Sequence, residues 1–164
     1  MNTSLLKKIT VATLLAGTIF TASAALKVGD TLPDLAGFNL EGKLPDSLKG
    51  KVVIVDFWAS WCAPCAKSFP VLDELQKKYG NRLVIVAVSV DEKKAKMDNF
   101  LAKHSVSFTV VRDADQKLVA VAEPATMPTS FVLDGDGKIR FLHNGFYGED
   151  TRKEYISEIE SLLK

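Results

Sequence analysis

Apolar and polar positions fall along this chain in blocks whose period changes, and each change marks an element. Val52, Val53, Ile54, Val55, Phe57 and Trp58 form a short run rich in β-branched and aromatic residues, which predicts a strand buried on both faces. From Cys62 onward the period lengthens: Ala66, Phe69, Val71, Leu72, Leu75 and Tyr79 keep the i, i+3, i+4 spacing of an amphipathic helix despite Pro70, and Gly80 is its stop signal. Leu83 to Val90 predicts a second buried strand. Asp91 is the predicted cap of a helix carrying Met97, Phe100 and Leu101 on its apolar side.

Phe108 to Val111 reads as a strand and Gln116 to Ala122 as a short helix or turn. Ser130 to Leu133 and Ile139 to Leu142 flank Asp134-Gly135-Asp136-Gly137, a hairpin turn signal. The acidic run is not a calcium loop, because the carboxylate needed at its twelfth position falls on Gly145. Thr151 to Lys164 closes the chain as a helix, with Thr151 and Glu154 spaced as a capping box and Tyr155, Ile159, Leu162 and Leu163 as the buried face. Before the first strand, Asn39, Gly42, Pro45 and Gly50 punctuate a hairpin or extended strap. Alternating strands and helices, then a hairpin and a last helix, predict an α/β fold around a mixed central sheet.

Residues 1–24 read differently. Lys7 and Lys8 precede an apolar stretch from Ile9 to Phe20 and a small-residue site at Ala22-Ser23-Ala24, the pattern of a cleaved secretory signal peptide. The alternative, an uncleaved membrane anchor, meets a run that is short for a spanning helix. Residues 25–164 then form one domain. Removing Lys7 and Lys8 from the 21 basic residues leaves 19 against 20 acidic, a balance that gives no reason to expect nucleic acid or an anionic surface as partner. Export sets the expected place of action, an oxidising periplasm.

The chain has two cysteines, Cys62 and Cys65, and they enclose Ala63-Pro64 where a buried strand meets a helix. Unpaired N–H groups and the positive dipole end of the first turn favour a thiolate at Cys62. Cys65, one turn on, can attack a mixed disulfide at Cys62 and release the partner reduced. The rival readings are a half zinc site and a plain structural disulfide. Zinc takes four ligands, and only the scattered His104 and His143 are at hand, so no metal site is expected. Asp56 sits inside the apolar strand, where an unpaired carboxylate is costly. Trp61, next to the nucleophile, offers a flat contact surface, while Trp58 reads as core.

DFWASWCAPC resembles the active site of the thioredoxin superfamily, and the wider frame is similar to its periplasmic TlpA/ResA-like branch. The likeness also rests on Val28 to Asp34, Leu48-Lys49-Gly50-Lys51 and Met127-Pro128-Thr129. It implies a thioredoxin fold with an N-terminal strap and an internal helix–strand insertion. It also implies Pro128 as the family's cis-proline facing the disulfide, and Asp56 as the acid that assists deprotonation of the second cysteine. Trp61, Pro64, Met127 and Pro128 are the expected substrate-binding positions.

The expected activity is reduction of protein disulfides by a monomer. Its redox group is the Cys62–Cys65 disulfide with no further cofactor, and a membrane-bound thiol donor re-reduces it. A disulfide-forming oxidant and a peroxiredoxin-like peroxidase are the alternatives. The former carries a His before its second cysteine, and the latter's Pro-x-x-x-Thr-x-x-Cys site is missing. A binding module without activity would fail an insulin-reduction assay. Ser68 stands where many members of the branch have a glutamate, which weakens direct transfer of a role in cytochrome c maturation. Asp56, or Glu123 beside Pro124, is the candidate to replace that acid.

Overall fold

A computed structural model of the chain describes residues 25–164; the predicted signal peptide lies outside the described residues. The five strands are β1 (Val52–Trp58), β2 (Leu83–Ser89), β3 (Thr109–Arg112), β4 (Thr129–Leu133) and β5 (Ile139–Asn144). The helices are α1 (Ala63–Tyr79), α2 (Lys94–Leu101), α3 (Lys117–Ala122) and α4 (Glu149–Leu162). The sheet runs in the order β3-β2-β1-β4-β5. β1, β2 and β3 are parallel, and β4 and β5 are antiparallel to their neighbours, the mixed sheet that the pattern predicts.

Each strand sends alternate side chains to two different cores. Val52, Ile54, Trp58, Ile85 and Ala87 pack with Phe69, Leu72 and Leu75 of α1, Met97 of α2 and Tyr155 and Ile159 of α4. Val53, Val55, Phe57, Val86, Val88 and Phe131 pack on the other face with Leu118 and Ala122 of α3 and with Leu32 and Leu35. Having both faces covered is why β1 is apolar at every position but Asp56 rather than alternating. Pro70 sits inside α1 and costs it one backbone bond without ending it.

The segment before β1 is a strap rather than a hairpin. It bonds to the start of β5 through Gly29 N–H to Ile139 O (2.9 Å) and crosses the sheet face to the opposite edge. There Glu41 and Arg112 exchange both backbone bonds, at 2.9 and 2.8 Å. Gly42 follows this pairing with φ of 128°, and a Cβ there would lie 3.0 Å from the Val110 carbonyl oxygen, so the close approach requires glycine.

Two predicted caps are corrected. Helix α2 starts at Lys94, and the Asp91 side chain turns instead to the loop after β1. Helix α4 starts at Glu149 with Gly148 before it, so Thr151 is inside the helix, and its hydroxyl accepts from Tyr147 N–H at 3.0 Å. Asp91 is taken by a distant partner, Ser60, whereas Thr151 is displaced by the earlier start of its own helix. The acidic turn behaves as a turn: Asp134 accepts from Asp136 and Lys138 N–H, both at 3.0 Å, and joins β4 to β5.

Candidate active site

Strand β1 ends against α1, and the two cysteines occupy that junction. Cys62 is the cap of α1, with an extended backbone, and its Sγ accepts from Cys65 N–H at 3.1 Å. The pair is joined as a disulfide. Cys62 retains 5% exposure and Cys65 none. After reduction, an alkylating agent is therefore expected to label Cys62 first at neutral pH; faster labelling of Cys65, read by mass spectrometry, would reverse the order of attack.

The loop Ala59–Trp61 is held from β2. The buried Asp91 carboxylate accepts from Ser60 N–H (2.9 Å), Ser60 Oγ (2.7 Å) and Ser89 Oγ (2.9 Å), so it pins the residues that deliver Cys62. Arg112 clamps the same turn by donating to the carbonyls of Asp91 (3.1 Å) and Glu92 (2.8 Å) while pairing with Glu41 of the strap. Sequence reasoning missed this support. Its signal was an Asp after an apolar strand, which is equally the signal of a helix cap.

On the partner side, β4 runs antiparallel to β1, with Thr129 opposite Phe57, so Pro128 lies at the cysteine end of the sheet. The Met127–Pro128 bond is cis, and Pro128 is buried. Trp61, Cys62, Ala63 and Pro64 face Pro124, Thr126 and Met127 across an open cleft of about 480 Å³. Trp61 is 71% exposed there. By contrast Trp58 is fully buried, with ring centroids 4.6 Å from Phe69 and 4.8 Å from Phe100.

Asp56 lies on the face of β1 that carries Ile54 and Trp58, the layer into which Cys65 and Phe69 of α1 are also packed. It has no exposure, and burial pushes its carboxyl up to about 7, with a hydrogen bond from Ser130 Oγ opposing the rise. Its other oxygen, Oδ2, and Trp58 Nε1 are the buried side-chain polar atoms without a hydrogen-bond partner among the described residues. Ser68 is buried and donates to the Cys65 carbonyl oxygen at 3.0 Å, a helix-internal bond that supplies no acid. Glu123 is exposed, in a left-handed conformation at the end of α3, outside the residues that line the cleft. His104 stacks on Phe100, and His143 lies between Glu154 and Glu158; neither lines the cleft beside Cys62.

The chain matches the thioredoxin-like family model over residues 50–139. It is 34% identical over 148 residues to the thiol-disulfide oxidoreductase ResA of Bacillus anthracis, covering 88% of this chain and 82% of the relative. Against ResA of Bacillus subtilis strain 168 the identity is 31% over 145 residues, covering 87% and 81%. Among solved structures, one from Chlorobium tepidum given the name thiol:disulfide interchange protein DsbE superposes with a TM-score of 0.77. It is 36% identical, and the match covers 85% of this chain and all of that one.

Proposed function

The chain belongs to the thioredoxin-like family of thiol–disulfide oxidoreductases, and from that premise we propose that it reduces disulfides of other proteins outside the cytoplasm. The observation that carries this reading is the unequal placement of the two sulfurs, one at the rim of an open cleft and one sealed beneath it. Cys62 thiolate attacks a substrate disulfide; one substrate sulfur leaves as a thiolate and takes a proton from solvent, and the other stays bonded to Cys62. Cys65 then loses its proton to Asp56 and attacks Cys62 Sγ. The mixed disulfide breaks, the second substrate sulfur leaves as a thiolate, and the Cys62–Cys65 disulfide forms. Two electrons pass from the protein to the substrate, and no further cofactor takes part.

Trp61, Pro64 and Met127 would flank the bound segment. Among the described residues neither main-chain group of Met127 takes part in a backbone hydrogen bond, so an extended peptide can add to them as a strand. Re-reduction by a membrane-bound thiol donor completes the cycle, with the protein acting as a monomer.

Direction is a matter of how strongly the Cys62 thiolate is stabilised. Among the described residues its sulfur accepts one hydrogen bond, from Cys65 N–H, and the intervening Ala63-Pro64 adds no charge. A reductant follows from such modest stabilisation. Equilibration of the Cys62–Cys65 couple with glutathione is expected to give a potential nearer thioredoxin's, about −270 mV, than the roughly −120 mV of the strong periplasmic oxidant. A value at the oxidising end would assign the protein to disulfide formation instead.

A further inference from the structure

Asp56 has to change charge at a place that water does not reach, so whatever touches its carboxyl sets when it does so. One neighbouring strand offers nothing polar there, because Asp56 pairs with Ala87 of β2. On the other side it pairs with Ser130 of β4, whose Oγ donates to Asp56 Oδ1. Ser130 Oγ also lies 2.7 Å from the phenolic oxygen of Tyr155, brought in from α4. Asp56, Ser130 and Tyr155 are each no more than 1% exposed. A serine hydroxyl has a single hydrogen; with that hydrogen committed to the ionised Asp56, the Tyr155 hydroxyl must be the donor to Ser130. Three elements distant in sequence thus form one directed chain, Tyr155 to Ser130 to Asp56 Oδ1, and leave Oδ2 without a partner.

We infer that Ser130 and Tyr155 are positioning residues for thiol–disulfide exchange: Tyr155 orients Ser130, and Ser130 occupies Oδ1 so that Oδ2 is the oxygen that exchanges a proton with Cys65. The inference rests on the reading of Asp56 as the proton acceptor. A hydrogen bond to the ionised carboxyl favours that form and offsets part of the cost of burying it. The other titratable groups in this layer are Cys62, Cys65 and Tyr79 of the α1 segment and Tyr155 itself. Behind Tyr155 stands His143, its ring centroid 4.6 Å from the tyrosine's, paired with Glu154 and Glu158. None of these three makes a hydrogen bond to Asp56.

The test is the pH titration of the Asp56 carboxyl carbon by NMR in the reduced full chain, for wild type, Ser130→Ala, Ser130→Thr and Tyr155→Phe. The midpoint is expected to rise by about one pH unit in Ser130→Ala, the weight of one charge-assisted hydrogen bond. It should rise by less in Tyr155→Phe and return to the wild-type value in Ser130→Thr, which keeps the hydroxyl. Tyr155→Phe preserves the packed ring and keeps the test decisive if Ser130→Ala fails to fold. Midpoints unmoved in the folded variants would overturn the inference. The pH profile of mixed-disulfide resolution, followed by stopped flow, should move with the NMR midpoint. A midpoint that shifts while the rate profile stays would overturn the acceptor role of Asp56 on which the inference rests, a failure distinguishable from the first.

Discussion

Cys65→Ser is expected to stop turnover at the first exchange, leaving the substrate bonded to Cys62. Cys62 sits at the rim of the cleft beside the exposed Trp61, so it still attacks. The group that would release the substrate is gone, and a buried serine hydroxyl is far too weak an acid to replace it. Multiple-turnover reduction of insulin should fall by at least about a hundredfold, to whatever rate an external thiol resolves the adduct. A substrate–enzyme adduct should accumulate on a non-reducing gel and disappear on treatment with excess dithiol. The lost intramolecular disulfide had closed only a very short loop, worth roughly 2 kcal/mol in the chain-entropy picture, so the fold survives. Cys62→Ser should form no adduct at all. If Cys65→Ser turned over at the wild-type rate, resolution would be by a second thiol and the dithiol mechanism would be wrong.

The strands were legible because burial leaves a mark in composition. β1 and β2 are covered on both faces, and their sequences are apolar runs interrupted only by Asp56 and ended by Ser89; the cysteine pair falls where the first of them gives way to a helical period. The hairpin was equally plain, since Asp134-Gly135-Asp136-Gly137 can do little else. What could not be read were side chains whose partners come from far along the chain. Asp91 matches a local cap pattern, yet it is bound by Ser60, 31 residues away. Thr151 failed as a cap for a different reason, since its helix already starts at Glu149. A cap contributes about 1 kcal/mol, which three hydrogen bonds to a buried carboxylate easily exceed. Asp56 announced itself as a polar residue in an apolar strand. Ser130 and Tyr155 did not, because a serine in a strand and a tyrosine on a helix's apolar face are unremarkable until β4 and α4 bring them together.

Asp56→Asn is expected to separate the two half-reactions and to abolish the fall in stability that Asp56 imposes as pH rises. The first attack by Cys62 needs no acid beneath it and should proceed as in the wild type. Resolution should slow by about a hundredfold, the usual weight of a positioned general base, so the mixed disulfide persists. Stability follows from the raised carboxyl, at about 7 in the fold against an ordinary 3.8. Below the lower value both states are protonated and the group has no effect. Between the two values the unfolded chain has lost the proton that the folded protein still holds, so stability falls as pH rises, by a total on the order of 4 kcal/mol once pH exceeds the upper value. Asparagine removes that slope. It can still accept from Ser130, but its amide must go where Oδ2 had no partner, at a cost of about 1–3 kcal/mol. The variant should therefore melt higher than the wild type at pH 8 and lower at pH 5, with the curves crossing between, as read by calorimetry on the oxidised proteins. Parallel melting curves across that range would mean that Asp56 is ionised in the fold throughout and that the proton from Cys65 leaves by another route.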